Sequence, residues 1–389
     1  MAIETISKEI LLANIPESIT KERHFMTIPP LFLGEKTSQA WEIRRRELME
    51  LFSQNVYGVT PEIHLDKTSC TTPWVLDLSD GVRYETHRLF FAKGSVFCSM
   101  RFELFSVPSD YPLPLILMID VFDSSPDNID YPQLSESLKR RLPYPEITRQ
   151  GYAVAVVHTN DLCNDCPRTY TRGIMEIAPR EGEHSWGAIG AWAWGVSRVV
   201  DYVWKDLRFD REKIAVIGVS RAGKTALWCA AQDERISAVI ATVSGCGGAS
   251  LLRGKTGEHI RDMSSQFPHW TCESYARYSD CEERLPVDQH MLLALCAPRP
   301  LYLSDAIEDD WADPHKAFEA AVMAGEVYRV LGRTGLCSEE FPEVHHPLLN
   351  GDIAYHVRTG GHGLLQYDWE QYLKFLSRYF LSRENHGNP

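Results

Sequence analysis

The sequence predicts an α/β fold of three layers, with helices packed on both faces of a mostly parallel central sheet. Two observations carry that expectation. Short continuous apolar runs such as "PLPLILMIDV" and "GYAVAVVHT" suit strands covered on both faces. Between such runs lie stretches with the length and apolar spacing of packed helices, such as "WGAIGAWAWGVSRVVDYVW".

In chain order, residues 1–60 read as an irregular arm followed by a helix, "SQAWEIRRRELMELFSQNVYG", ending at Gly58. Residues 61–389 read as one domain. It opens with two candidate strands, "RYETHRLFF" and "SVFCSMRFELFSV", rich in β-branched and aromatic residues. After the elements quoted above come a strand "KIAVIGVS", its helix "RAGKTALWCAAQ" and a strand "ISAVIATVSG". A long irregular insert covers about 246–290, and long loops in compact domains tend to be functional. It belongs at the carboxyl ends of the strands, where open α/β sheets bind ligands. The chain closes with "RPLYLSDA", "HKAFEAAVMAGEVYRVLG", "IAYHVRTG" and "DWEQYLKFLSRYFLS", alternately strand and helix.

Composition narrows the function. A formal net charge of -13 argues against a nucleic-acid partner, which needs basic patches. No apolar run approaches the roughly 20 residues that span a bilayer, so no membrane is expected. The start, "MAIETISKEILLANIPESIT", lacks a basic segment followed by an apolar core, so it is not a signal peptide and the chain as it stands is expected in the cytoplasm. Ten scattered cysteines do not form a disulfide scaffold. Cys163 and Cys166 in "CNDC" have the spacing of zinc and redox sites, but no second pair completes a set. Neither metal nor cofactor is expected, and the chain is expected to act as a monomer.

The chemistry concentrates in "VIGVSRAGKTALW", where a strand ends in Gly218-Val219-Ser220 and turns straight into a helix. Ser220 is there either as a helix N-cap or as a nucleophile on a strained turn between small residues. The second reading requires an acid and a histidine at later strand ends, in that order. Glu308, Asp309 and Asp310 follow "RPLYLSDA", and His362 follows "IAYHVRTG" in a short glycine-flanked loop. A serine hydroxyl needs a neutral imidazole to take its proton, and a carboxylate to orient and stabilise the imidazolium.

The motifs "GVSRAGKTALW", "SGCGGA", "GEHI", "FPHW", "LPVDQHMLLALCAPRPLYL", "DDWADP" and "GGHGLLQYDWEQYLKF" together resemble the glucuronoyl esterases of carbohydrate esterase family 15, over about residues 110–380. The resemblance implies an α/β-hydrolase fold and hydrolysis of the ester between a xylan glucuronoyl carboxylate and a lignin alcohol. It makes Ser220 the nucleophile, His362 the base and Arg221 an oxyanion-stabilising residue, and has Lys224, Glu258 and Trp311 hold the uronic sugar. Arg221 could offer a backbone N–H and a permanent charge, and Lys224 lies one helical turn beyond Ser220. Family members are usually secreted.

The sequence departs from the family twice. Val243 stands where many fungal members carry the acid, and Gly363 follows His362 where an aspartate is frequent. The acid is then expected from "EDDW". Asp309 is favoured because the family's acid stands two residues before the sugar-contacting tryptophan, with Glu308 and Asp310 as alternatives. Trp270, Trp192 and Trp194 are expected to be structural, and Trp186 either structural or lining the site. Other functions open at this stage are an esterase on acetylated xylan or a small ester, and an inactive carbohydrate-binding relative.

Overall fold

The computed structural model describes residues 28–121 and 140–381, so most of the N-terminal arm lies outside the described residues. Their sheet has nine strands: β1 (Lys67–Asp77), β2 (Arg83–Lys93), β3 (Val96–Ser106), β4 (Leu113–Asp120), β5 (Ala153–His158), β6 (Phe209–Val219), β7 (Ala238–Thr242), β8 (Leu301–Ala306) and β9 (Ile353–Arg358). Their spatial order is β1-β2-β3-β5-β4-β6-β7-β8-β9. The first three form an antiparallel meander joined antiparallel to β5, and from β5 to β9 all neighbours run parallel.

The continuous apolar runs follow from burial on both faces. Along β4, Leu115 and Leu117 enter one core while Ile116 and Met118 enter the other. The first core is covered by helices α1 (Ser38–Phe52), α2 (Ala188–Val203), α3 (Arg221–Gln232) and α4 (Pro314–Val330). The second is covered by α5 (Gln366–Phe380), whose Trp369, Tyr372 and Phe375 are buried there. Helix α1 continues in wide turns over Ser53–Tyr57 and stops at Gly58. A side chain at Gly58 would lie 2.3 Å from the Trp186 backbone, and its φ of 88° is one that glycine adopts freely. Trp186, Trp192 and Trp194 are buried in the first core.

Strand β1 was not expected. Its sequence, "KTSCTTPWVLD", has no clean alternation, because the strand pairs on one side only and is largely exposed. The register shifts between Thr71 and Trp74, around Pro73, which has no N–H to give to a ladder.

Candidate active site

The segments after β6, β8 and β9 bring the expected residues together beyond the carboxyl ends of the strands. Ser220 follows β6 with φ 59° and ψ −124°, and its side chain makes no capping hydrogen bond, so the N-cap reading does not hold. A non-glycine residue held at positive φ costs about 1–3 kcal/mol and persists only where its surroundings enforce it. The Ser220 N–H donates to the Thr242 carbonyl at 2.8 Å, and the Ser220 carbonyl accepts from the Gly223 N–H at 2.8 Å. The turn also needs its glycine, since a Cβ on Gly218 would lie 2.0 Å from the Ala222 carbonyl oxygen.

Beyond β8, the buried Asp309 carboxylate lies 2.7 Å from His362 Nδ1 and also accepts from the Ala312 N–H at 3.3 Å. The His362 side chain is 46% exposed. Of the three neighbouring acids, Asp309 is the one at the imidazole. Glu308 turns to the histidine loop instead and accepts from the Gly360 N–H at 2.8 Å, while Asp310 is exposed.

A cavity of about 270 Å³ brings together Ser220, Arg221, Lys224, Glu258, Asp309, Trp311 and His362. Val243 lines it as an apolar wall, and Gln266, Phe267 and Trp270 come to it from the insert. A larger groove of about 690 Å³ involves Tyr111, Leu207 and Arg208, and no histidine lines it.

Two ion pairs frame the site, one partly and one fully buried. Arg221 Nη1 donates to Asp165, and the guanidinium lies 4.6 Å from the Trp270 ring centre. Phe267 stacks on Trp270 at 3.9 Å, which fixes that ring. Asp165 also accepts from His269 Nε2 at 2.9 Å and Trp270 Nε1 at 2.6 Å. Burial alone would raise the Asp165 carboxyl, but the His269 hydrogen bond and the Arg221 charge together hold it below the usual aspartate value. Lys224 is not at the solvent surface. Its Nζ donates to the carbonyls of Ser244 at 2.8 Å and Cys246 at 2.6 Å, and lies 3.5 Å from buried Glu258.

Sequence reasoning missed Asp165, which sits between the two cysteines of "CNDC" with nothing local to mark it. Trp270 is buried as expected, but it also lines the cavity and binds Asp165. Trp186 does not face the cavity; its indole donates to the Ala178 carbonyl at 3.2 Å. The buried Cys163 thiol donates to the Tyr170 carbonyl, and Cys166 is only partly buried.

Chain order gives the class: a serine after β6, an acid after β8 and a histidine after β9 is the α/β-hydrolase sequence of strand ends. A family model described as "Glucuronyl esterase, fungi" matches residues 180–332. Similar solved structures include the glucuronoyl esterase from Solibacter usitatus, with a TM-score of 0.82 and 31% identity, covering 90% of this chain and 97% of that one. A promiscuous esterase of carbohydrate esterase family 15 from a marine bacterial metagenome has a TM-score of 0.81 and 32% identity, covering 90% and 96%. A carbohydrate esterase of an unknown prokaryotic organism is 43% identical over 59% of this chain and 54% of its own length. The chain therefore belongs to the glucuronoyl esterases, carbohydrate esterase family 15. It spans about half the length of the curated relatives it matches.

Proposed function

We propose that this chain hydrolyses carboxylic esters of glucuronic acid through an acyl group carried on Ser220. The observation that carries the reading is the 2.7 Å contact between His362 Nδ1 and Asp309, at a cavity that Ser220 also lines. With Nδ1–H donated to the carboxylate, Nε2 is left as the acceptor for a serine proton. Ser220 Oγ attacks the ester carbonyl while His362 takes its proton. The oxyanion is met by the backbone N–H of Arg221, which opens helix α3, and by its tethered guanidinium. His362 then protonates the departing alcohol, and a water deprotonated by the same imidazole releases the uronate from the serine. No step calls for a metal or a cofactor.

Trp311, 48% exposed at the rim, offers a flat face for a sugar ring. Relatives from Podospora anserina and Hypocrea jecorina are named 4-O-methyl-glucuronoyl methylesterases, which supports the uronate assignment.

The test compares turnover of benzyl or methyl glucuronate with that of p-nitrophenyl acetate. Preference for the uronate supports the reading, and preference for acetate makes the chain an acetyl or small-ester esterase. Mass spectrometry after treatment with a serine-directed phosphonate should find the label on Ser220. An inactive carbohydrate-binding relative would take up none.

A further inference from the structure

We propose that Glu308 is a positioning residue that fixes the loop bearing His362, and that it works against a buried clamp formed by Arg358 and Asp368. This rests on the reading of His362 as the base.

The histidine sits among glycines, Gly360, Gly361 and Gly363, and such a segment has no stiffness of its own. Its order must come from bonds to its backbone. From beneath, Arg358 at the end of β9 donates to three of the loop's carbonyls: Thr359 at 3.0 Å, Gly361 at 3.2 Å and Gly363 at 2.8 Å. Arg358 is itself held by the fully buried Asp368, whose two oxygens each lie 2.9 Å from Nε. The Asp368 carboxylate also accepts from the Leu365 N–H at 2.7 Å and contacts His356 at 2.8 Å. The clamp thus holds the loop's carbonyls from the core side.

Nothing in that set draws the loop towards the acid. Glu308 does, because it stands next to Asp309 in the chain and accepts the Gly360 N–H at 2.8 Å. Two adjacent residues of one turn therefore grip the histidine loop, Asp309 by the imidazole and Glu308 by the backbone two residues earlier. A backbone held there cannot carry His362 away from the carboxylate without breaking a charge-assisted bond.

Glu308 is exposed, so its removal should leave the fold intact. The experiment compares Glu308→Ala with Glu308→Gln, whose amide oxygen can still accept from Gly360. Turnover is followed on benzyl glucuronate and on p-nitrophenyl acetate, so the result does not depend on which ester is preferred. Glu308→Ala should lower kcat about 10- to 100-fold on whichever ester is turned over, the scale expected when a reacting group is misplaced by an ångström. KM should stay within about twofold and Tm within about 2 °C. Glu308→Gln should recover most of kcat. His362→Ala serves as the reference. If it is inactive while Glu308→Ala turns over like the unaltered protein, the positioning role is overturned and the base assignment stands. If His362→Ala keeps its activity, the base assignment falls and the positioning role falls with it. Equal loss in the alanine and glutamine variants would also overturn the proposal, because the carbonyl acceptor would then be irrelevant.

Discussion

Asp165 binds Arg221 through one carboxylate oxygen while its other oxygen accepts from His269 and Trp270. Arg221, which we propose meets the oxyanion, is thus tethered by a loop far from it in sequence. Asp165→Asn keeps the size but removes the charge that holds the guanidinium. It should lower kcat about tenfold while KM changes little, since a displaced donor is felt mostly in the transition state. Steady-state kinetics on a uronate ester checks this.

The same carboxylate sets a pH dependence. Its folded-state value lies below the ordinary 3.8, so its stabilising effect is complete above that value and disappears as pH falls through the lower folded value. The Tm difference between the unaltered protein and Asp165→Asn should be constant from pH 7 down to about 4 and shrink below it. A difference that grows on acidification would contradict the ion pair.

Asp309→Asn should cost several orders of magnitude in kcat, because an imidazole without its carboxylate takes the wrong tautomer. In a well-studied triad that loss was about 10⁴-fold. Glu308→Gln and Asp310→Asn should stay within about tenfold, the first because an amide oxygen can still receive Gly360 and the second because Asp310 faces solvent. Rates of the three variants on one ester decide the matter.

Lys224 and Trp311 should separate stability from binding. Lys224→Met leaves Glu258 buried without its cation and two carbonyls without their donor, so it should destabilise the fold by about 3 kcal/mol. Trp311→Ala should leave stability unchanged and raise KM for uronate esters severalfold. Urea denaturation and substrate titration of both variants test the division.

Asp305, at the end of β8, should lower stability as pH rises. Burial pushes its carboxyl up to about 8, against the hydrogen bond from Tyr355. The unfolded chain releases that proton near pH 4 while the folded one keeps it to about 8, so folding is progressively penalised between those values and uniformly above them. Asp305→Asn, neutral throughout, should gain in Tm relative to the unaltered protein from pH 4 to 8 and no further above it.

The sequence made some of these features legible and hid others for physical reasons. Ser220 and His362 stood out because each follows a segment that reads as a strand, Ser220 directly after an apolar run and His362 across a short glycine loop. Strand β1 escaped notice because an edge strand facing water needs no alternation. Lys224 reads as a solvated helix lysine until the carbonyls of Ser244 and Cys246 fold over it, and no local pattern reports that. The position of Asp165 depends on Arg221, His269 and Trp270 converging from two other segments. The preference for Asp309 over Glu308 and Asp310 leaned on the family's spacing to the tryptophan for a related reason. Adjacent side chains on a turn diverge, and only the assembled loop decides which of them meets the imidazole.

The histidine is carried by β9, the last strand of the sheet, and a marginal strand ordinarily leaves one row of backbone groups bare. Here the chain folds back along it. The Leu348 N–H donates to the Tyr355 carbonyl at 2.8 Å, the Tyr355 N–H returns the bond at 3.1 Å, and the His345 N–H donates to the Val357 carbonyl at 2.9 Å. The opposite margin, β1, has among the described residues a strand neighbour on one side only. Fraying on warming should therefore begin at β1, far from the chemistry, with its amides exchanging with solvent well before those of β9. Partial melting of the sheet and loss of the proposed turnover become separate events, so any activity should persist with one margin already loosened.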